Sequence, residues 1–323
     1  MEGTVMPRHL TLSTCVSVPL LLAGSLAVTA CGGTVEAGRP SGPATSAEVI
    51  PGVTVKTDPK LHAGLSAPIR ERGVVQVATD VPYPPFEMFT QAGSRQMTGI
   101  DYDLGRAIAA RLGVTFTFSP QKFDGLLPAV QAGKFDVVMS AMTDKKERQT
   151  AVDFVDYLNA GPGWLVKKGN PTGLDEITDV CGKPVGVQSG TNHQQLLKER
   201  QATCKAAGRP PIKVLAFAKD SEAQLALRSG RVVADYLDEV TAAWVASTTD
   251  DGKTFATVTG DKAVGPHSPS PMGIGISKTD PRLARSVQAA LQSLMDDGTY
   301  KKILEKYHVP GIAIPKATVN AGL

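Results

Sequence analysis

Two short apolar segments of this sequence each end in a cluster of polar and aromatic side chains. Residues 74–78 are followed by Asp80 and Tyr83, within a run that continues to Glu87. Residues 135–139 are followed by Ser140 and, a little further on, by Arg148. Open α/β sheets bind ligands beyond the carboxyl ends of their strands. The two clusters therefore predict a binding crevice.

Helical patterns separate the apolar segments and must bring their ends together. Strand-like segments at 74–78, 114–118 and 135–139 alternate with amphipathic segments that stop at Gly113 and Gly133. Alternation of strand and helix at this spacing predicts a parallel sheet with helices on its faces. The same order recurs between residues 183 and 236, so we expect an α/β protein with two lobes of similar construction.

Two segments rich in Gly and Pro, 159–163 and 265–271, divide the chain between these lobes. We expect lobe 1 to contain residues 58–163 and 268–309, lobe 2 to contain residues 164–267, and residues 310–323 to form a C-terminal tail. Two adjacent crossings of this kind make a hinge that lets the lobes close around a ligand.

Residues 1–30 predict a signal peptide. Residues 10–28 carry no charge and are rich in Leu, Val and Ala, but they are too short and too interrupted for a convincing membrane span. The small residues that precede Cys31 resemble a bacterial lipobox, which implies a lipid anchor on Cys31; an export signal with an incidental cysteine is the alternative. Residues 31–57 contain few large apolar side chains and predict a flexible tether.

Charge and cysteine content narrow the class of protein. The net charge is a modest +3 and aromatic residues make up 5% of the chain, which argues against nucleic-acid binding. Gly-x-Ser-x-Gly, P-loop and HExxH motifs are absent from the sequence, and we expect no cofactor and no metal. In an oxidising compartment Cys181 and Cys204 could form a disulfide worth roughly 3 kcal/mol; two buried free thiols are the alternative.

Several short motifs occur in a characteristic order between residues 58 and 308. They are Asp80-x-x-Tyr83-x-Pro85-Phe86, Gly99-Ile100-Asp101-x-Asp103-Leu104, Asp136-x-x-Met139-Ser140, Arg148, Gly186-x-x-x-Gly190-Thr191 and Asp238-Glu239. In order and spacing the set resembles the bacterial extracellular solute-binding proteins of family 3, lipoproteins that supply polar amino acids to ABC importers. The resemblance implies a two-lobe, periplasmic-binding-protein-like fold of type II.

The resemblance also implies a site for a free amino acid, which carries one positive and one negative charge. Arg148 would grip the α-carboxylate bidentately, a geometry that lysine cannot supply. Asp238, on lobe 2, would hold the α-ammonium. Because the two residues belong to different lobes, a zwitterion would bridge them and stabilise closure, whereas a ligand lacking either charge would leave a desolvated partner.

The remaining site residues would recognise the ligand's side chain or add hydrogen-bond donors. Asp80, left without a partner, would disfavour acidic side chains and, together with Gln188, favour an amide, a hydroxyl or a cation. We therefore expect glutamine or a basic amino acid. The full set of expected ligand-binding residues is Asp80, Tyr83, Phe123, Ser140, Met142, Thr143, Arg148, Gln188, Thr191 and Asp238.

Several of these side chains have an ordinary structural role as their alternative. Tyr83 and Phe123 could pack in the core, and Ser140 and Thr143 could cap a helix. Asp238 could simply mark a helix N-terminus. Arg148 could pair with Asp144 at the surface, where such pairs contribute little.

The sequence as a whole predicts a monomeric binding protein without enzymatic activity. It would be lipid-anchored at the outer face of the membrane and read by separate permease subunits. Secreted cyclohexadienyl dehydratases and ligand-sensing modules have similar folds, and these two classes are the alternatives to a transport binding protein. Catalysis has little support, because His193 is expected on a helix surface and has no triad partner.

Overall fold

The computed structural model describes residues 46–264 and 269–322. The predicted signal peptide, the lipidation site Cys31 and residues 265–268 of the predicted second crossing lie outside these described residues. Within the described ranges, no helix has both the length and the apolar character needed to cross a membrane.

Lobe 1 combines helices with a six-stranded sheet, and it begins with a two-stranded hairpin at residues 46–56. Its elements are β1 Ser46–Ile50, β2 Val53–Lys56, α1 Pro59–Gly64, α2 Ala67–Arg72, β3 Val74–Thr79, β4 Met88–Phe89, β5 Met97–Thr98, α3 Ile100–Leu112, β6 Thr115–Pro120, α4 Leu126–Gln131, β7 Val137–Val138, α5 Lys146–Gln149, β8 Val152–Ala160, β14 Ser270–Ser277, α10 Pro281–Asp296, α11 Thr299–Lys306 and β15 Ala313–Val319. The sheet order is β15-β8-β14-β7-β3-β6. Its core includes the fully buried Leu104 and Ile108 of α3 and Leu291 of α10.

Lobe 2 is built around a five-stranded sheet in the chain between β8 and β14. Its elements are β9 Pro162–Lys167, β10 Pro184–Gln188, α6 Asn192–Ala206, β11 Lys213–Phe217, α7 Asp220–Ser229, β12 Ala234–Asp238, α8 Glu239–Thr248, β13 Phe255–Val258 and α9 Asp261–Val264. The sheet order is β11-β10-β12-β9-β13, and its core contains the fully buried Trp164 and Tyr236.

Parallel strands at the centre of each sheet place their following loops side by side. In lobe 1, β3 pairs in parallel with β6 and β7, and the amide of Met139 donates to the carbonyl of Ala78 over 3.0 Å. In lobe 2, β10 pairs in parallel with β11 and β12. Because ligands bind at the carboxyl ends of such strands, the loops after β3, β7, β10, β11 and β12 are placed to form a site.

The predicted two-lobe α/β fold is therefore confirmed. The first crossing lies at Gly161, between β8 of one sheet and β9 of the other. The return to lobe 1 falls between α9 and β14.

The predicted tether is wrong for its last part. Residues 46–56 form the β1–β2 hairpin, which buries Val49 and Val55 in the core of lobe 1. Arg106 of α3 holds the hairpin by donating to the carbonyls of Val49 and Glu48 over 2.9 and 2.8 Å. The Gly, Pro, Ser, Thr and Ala content of the longer segment 31–57 hid the strand pattern of its last residues.

The predicted C-terminal tail is also wrong, because residues 313–319 form β15 of the lobe 1 sheet. This strand pairs antiparallel with β8, with Thr318 opposite Asp156. The hydroxyl of Thr318 donates to the Asp156 carboxyl over 2.9 Å, and the amide of Gly322 donates to Asp144 over 2.7 Å. Side chains far earlier in the chain fix this segment, so its own sequence gave little signal.

Candidate functional site

A cleft lies where the strand ends of the two lobes face each other. Nine of the ten predicted ligand-binding residues line it: Asp80, Tyr83, Phe123, Ser140, Thr143, Arg148, Gln188, Thr191 and Asp238. Four residues outside the predicted set also line it: Glu87, Ala141, Asn192 and His193.

Met142 is the exception, and its prediction as a cleft residue is wrong. Its side chain is 1% exposed and belongs to a hydrophobic cluster with Val138 and Phe154 beneath the cleft. The direction of its side chain follows from the turn after β7, which points Met142 into the core while its neighbour Thr143 lines the cleft.

Arg148 lies on the lobe 1 wall at the end of the short helix α5. Its guanidinium donates to the carbonyl of Thr143 over 2.8 Å and, across the cleft, to the carbonyl of Gly190 over 3.1 Å. The guanidinium carbon lies 5.7 Å from the centre of the Phe123 ring, within cation–π range. Asp144 instead accepts from Gln149 over 2.8 Å, so the surface-pair alternative for Arg148 does not hold.

Ser140 is fixed by hydrogen bonds in its own lobe. Its hydroxyl donates to Glu87 over 2.6 Å and accepts from the amide of Asp80 over 2.9 Å. Ser140 is therefore not a helix cap: it joins the loop after β3 to the loop after β7.

The next residue, Ala141, has an unusual backbone conformation for a side chain with a Cβ. Its φ of 43° lies in the left-handed region, which is costly for such residues and is tolerated where surrounding contacts enforce it. Its amide donates to Asp101 over 2.8 Å, and Asp101 in turn accepts from the hydroxyl of Tyr157 over 2.7 Å. Buried side chains thus set the course of the loop that carries Ser140 and Thr143.

Glu87 and Asp101 form a buried carboxyl pair behind this loop. Burial raises the pKa of Glu87 well above its usual value, and the nearby charge of Asp101 raises it further. Burial also raises the pKa of Asp101 to about 6, opposed by the hydrogen bonds from Tyr157 and Ala141. The raised pKa values favour a protonated carboxyl in this pair, and a proton held by Glu87 and hydrogen-bonded to Asp101 makes the pair compatible with burial.

Asp238 lies on the lobe 2 wall, at the end of β12 and the start of α8. The hydroxyl of Tyr83 donates to its carboxylate over 2.7 Å and accepts from its amide over 3.1 Å. Burial and the charge of Asp238 raise the pKa of Tyr83 well above its usual value, so Tyr83 remains a donor. Tyr83 therefore connects the two walls as well as lining the cleft.

His193 was expected on a helix surface, and that prediction is wrong. It is 6% exposed, and its Nε2 lies 3.4 Å from the carboxylate of Asp238. Its ring meets the Tyr236 ring edge-on, with centroids 5.6 Å apart. The first turn of α6 faces the cleft because Thr191, which caps that helix by accepting from Gln194 over 3.2 Å, lies at the end of β10.

Asp80 is not left without a partner, contrary to the expectation from sequence. Lys219 of lobe 2 donates to one carboxylate oxygen over 2.7 Å, and Gln188 of lobe 2 donates to the other. Lys219 follows β11, so the expectation that polar residues after strand ends line a crevice could have identified it. The sequence between residues 80 and 219 does not indicate that Lys219 forms an ion pair with Asp80.

The guanidinium of Arg148, on the lobe 1 wall, remains positively charged. Burial lowers the pKa of Arg148 to about 10, opposed by the negative charges of Glu147, Asp238 and Asp144. Arg148 is therefore cationic at neutral pH and interacts electrostatically with Asp238 across the cleft.

Among the described residues, no cluster of His, Cys, Asp and Glu side chains could hold a metal ion.

Cys181 and Cys204 form a disulfide within lobe 2, with their Cα atoms 5.6 Å apart. The bond ties the short 3₁₀ turn Ile177–Val180 before β10 to the last turn of α6. Neither cysteine lines the cleft.

The chain is similar in sequence and in fold to known proteins. Residues 75–310 match the bacterial extracellular solute-binding proteins, family 3. Arginine-binding protein ArgT of Corynebacterium glutamicum is 31% identical over 301 residues, which is 93% of this chain and 93% of that protein. A solved ancestral arginine-binding protein bound to arginine has 39% identity and a TM-score of 0.64, covering 73% of this chain and 99% of its own. An ancestral arginine-binding protein bound to glutamine also has 39% identity and a TM-score of 0.64, covering 73% of this chain and 98% of its own.

Proposed function

Because this chain belongs to the bacterial extracellular solute-binding proteins of family 3, we propose that it binds a free amino acid and delivers it to an ABC importer. The observation that carries the proposal is the placement of Arg148 and Asp238 on opposite walls of one cleft. A guanidinium has five N–H donors, so Arg148 has donors left for a carboxylate beyond those used on Thr143 and Gly190. Asp238 offers the opposite charge for an α-ammonium.

We propose arginine or another basic amino acid, or glutamine, as the ligand. Asp80 and Gln188 both line the cleft and are hydrogen-bonded to each other, and the carboxylate of Asp80 and the amide oxygen of Gln188 can accept hydrogen bonds. Guanidinium, ammonium and amide side chains all donate such bonds, whereas a carboxylate side chain would meet Asp80 with like charge. Relatives described as arginine-binding, and an ancestral one bound to glutamine, support the same range.

Calorimetric titration with arginine, lysine, glutamine and glutamate tests the binding proposal. We expect arginine, lysine or glutamine to bind, and glutamate to bind at least about tenfold more weakly than the best of them. Agmatine, which is arginine without its carboxylate, and arginine methyl ester are matched controls for the grip of Arg148. Equal affinity for arginine and agmatine would show that Arg148 does not hold a carboxylate.

Delivery to an importer has its own test. Ligand-loaded protein is expected to stimulate the ATPase activity of its cognate permease in proteoliposomes, and ligand-free protein to stimulate it less. Stimulation that does not depend on the ligand would contradict the proposed role.

Two further expectations remain proposals. We propose that the protein has no enzymatic activity, and incubation with prephenate or arogenate should yield no aromatic product. We also propose a lipid anchor on Cys31, so Cys31→Ser is expected to move the protein from the detergent phase to the aqueous phase. An unchanged partition of Cys31→Ser would rule out that anchor.

A further inference from the structure

Both carboxylate oxygens of Asp80 are held by side chains from the opposite lobe. The ammonium of Lys219 lies 2.7 Å from Oδ1 and also donates to the carbonyl of Val81 over 2.9 Å. Gln188 donates to Oδ2. Asp80 is 3% exposed, whereas the side chain of Lys219 is 34% exposed. A cation of the protein itself therefore covers the buried acid of the cleft.

We propose that Lys219 is a specificity-determining residue that sets the relative affinity for cationic and neutral amino acids. This inference rests on the proposed function, because it concerns the side chain of the same ligand. The Lys219 ammonium occupies the place beside Asp80 that the charged end of a basic ligand would take. A basic ligand must displace it, whereas a neutral ligand can bind with Lys219 in place.

The exposure of Lys219 makes displacement feasible. It immediately precedes α7, and its partly exposed stem can carry the ammonium into water. Asp80 then exchanges one cation for another, so the net gain for a basic ligand is small. Without a lysine at position 219, Oδ1 of Asp80 and the Val81 carbonyl would both lose the donor that Lys219 supplies, and a guanidinium could donate to both.

The test compares affinities for arginine and glutamine in wild type and in Lys219→Met, which keeps the length of the side chain and removes its charge. We expect the ratio of the glutamine Kd to the arginine Kd to rise by about tenfold or more in Lys219→Met. Lys219→Arg, which keeps the cation, should leave the ratio within about threefold of wild type.

Lys145→Met is the matched control for loss of a lysine that connects the lobes. Lys145 donates across the interface to Gln195 over 2.8 Å but does not contact Asp80. Its removal should change both affinities together and leave their ratio unaltered. Circular dichroism melting of each variant establishes that the fold is retained.

The outcomes separate this inference from the proposed function. If wild type binds neither amino acid, the proposed function fails. If wild type binds them and Lys219→Met leaves the ratio unchanged, Lys219 does not determine specificity. A rise in the ratio for Lys145→Met as large as that for Lys219→Met would equally overturn the assignment, since it would then follow from lobe closure alone.

Discussion

The two walls of the cleft are supported in different ways. On the lobe 1 wall, the loop after β7 is held by hydrogen bonds from the same lobe: Ser140 donates to Glu87, and the amide of Ala141 donates to Asp101, which also accepts from Tyr157. These groups are buried beneath the loop that carries them. The lobe 1 wall is therefore organised before any ligand arrives.

On the lobe 2 wall, the corresponding side chains form hydrogen bonds with residues of the lobe 1 wall. Asp238 accepts from Tyr83 of lobe 1, and both Gln188 and Lys219 donate to Asp80 of lobe 1. These contacts exist only when the lobes meet across the cleft. From this difference we expect substitutions in the lobe 1 wall to weaken binding of every ligand or to reduce folding stability. Substitutions in the lobe 2 wall should instead change lobe closure and the selectivity between ligands.

The largest expected effect on binding comes from Arg148→Lys. A lysine ammonium cannot grip a carboxylate bidentately, so affinity for arginine and glutamine should both fall by about 2–5 kcal/mol. Calorimetric titration measures both. Arg72→Lys is a matched control, because Arg72 pairs with Asp136 over 2.7 Å away from the cleft. Retention of near wild-type affinity by Arg148→Lys would mean that the lobe 1 wall does not hold the ligand's carboxylate.

Removal of the disulfide should destabilise lobe 2 without altering the cleft. The double substitution Cys181→Ser with Cys204→Ser is expected to lower the free energy of unfolding by roughly 3 kcal/mol. Urea denaturation of the variant and of reduced wild type should give the same loss. The ratio of arginine to glutamine affinity should stay unchanged, and a shift in that ratio would show that the disulfide shapes the lobe 2 wall.

Glu87→Gln should remove a pH dependence that originates in the lobe 1 wall. The raised pKa values of Glu87 and Asp101 mean that the folded state keeps protons which the unfolded state releases, so their contribution to stability is full below about pH 4 and declines as pH rises. For one proton the decline is up to about 1.4 kcal/mol per pH unit. Glutamine can accept from Ser140 and donate to Asp101 without ionising.

Urea denaturation of ligand-free protein between pH 5 and pH 8 measures that effect. Wild type should lose stability relative to Glu87→Gln as pH increases across this range. Parallel curves for the two proteins would mean that Glu87 does not carry the shared proton.

The smallest and sharpest comparison uses two tyrosines that each donate to one carboxylate. Tyr83→Phe removes both hydrogen bonds of the Tyr83 hydroxyl with Asp238 across the lobes and should weaken ligand binding by about 0.5–1.5 kcal/mol with little effect on unfolding. Tyr157→Phe removes a bond within lobe 1 and should instead lower the free energy of unfolding by about 1–3 kcal/mol. The same effect from both, in calorimetry and in urea denaturation, would remove the distinction between the walls.

Much of the fold and of the cleft followed from local patterns. The apolar periodicity and the glycines at the ends of helices predicted β3, β6 and β7 of lobe 1 and the strand–helix order of lobe 2 between residues 183 and 236. The polar residues after the strands predicted the cleft. Local sequence patterns did not predict elements whose formation depends on a segment far away in the chain. β15 exists because β8 offers it an edge, and the β1–β2 hairpin because α3 holds it.

The sequence alone determined the α/β class and which strand ends carry polar groups, because periodicity, helix ends and turns depend on neighbouring residues. Only the tertiary structure decided what those groups contact. Asp80 meets Lys219 from a position 139 residues away, and His193 is buried against Asp238 rather than exposed on its helix. Such partners depend on how two separately folded lobes face each other, and a side chain's own neighbours in the chain carry no record of that arrangement.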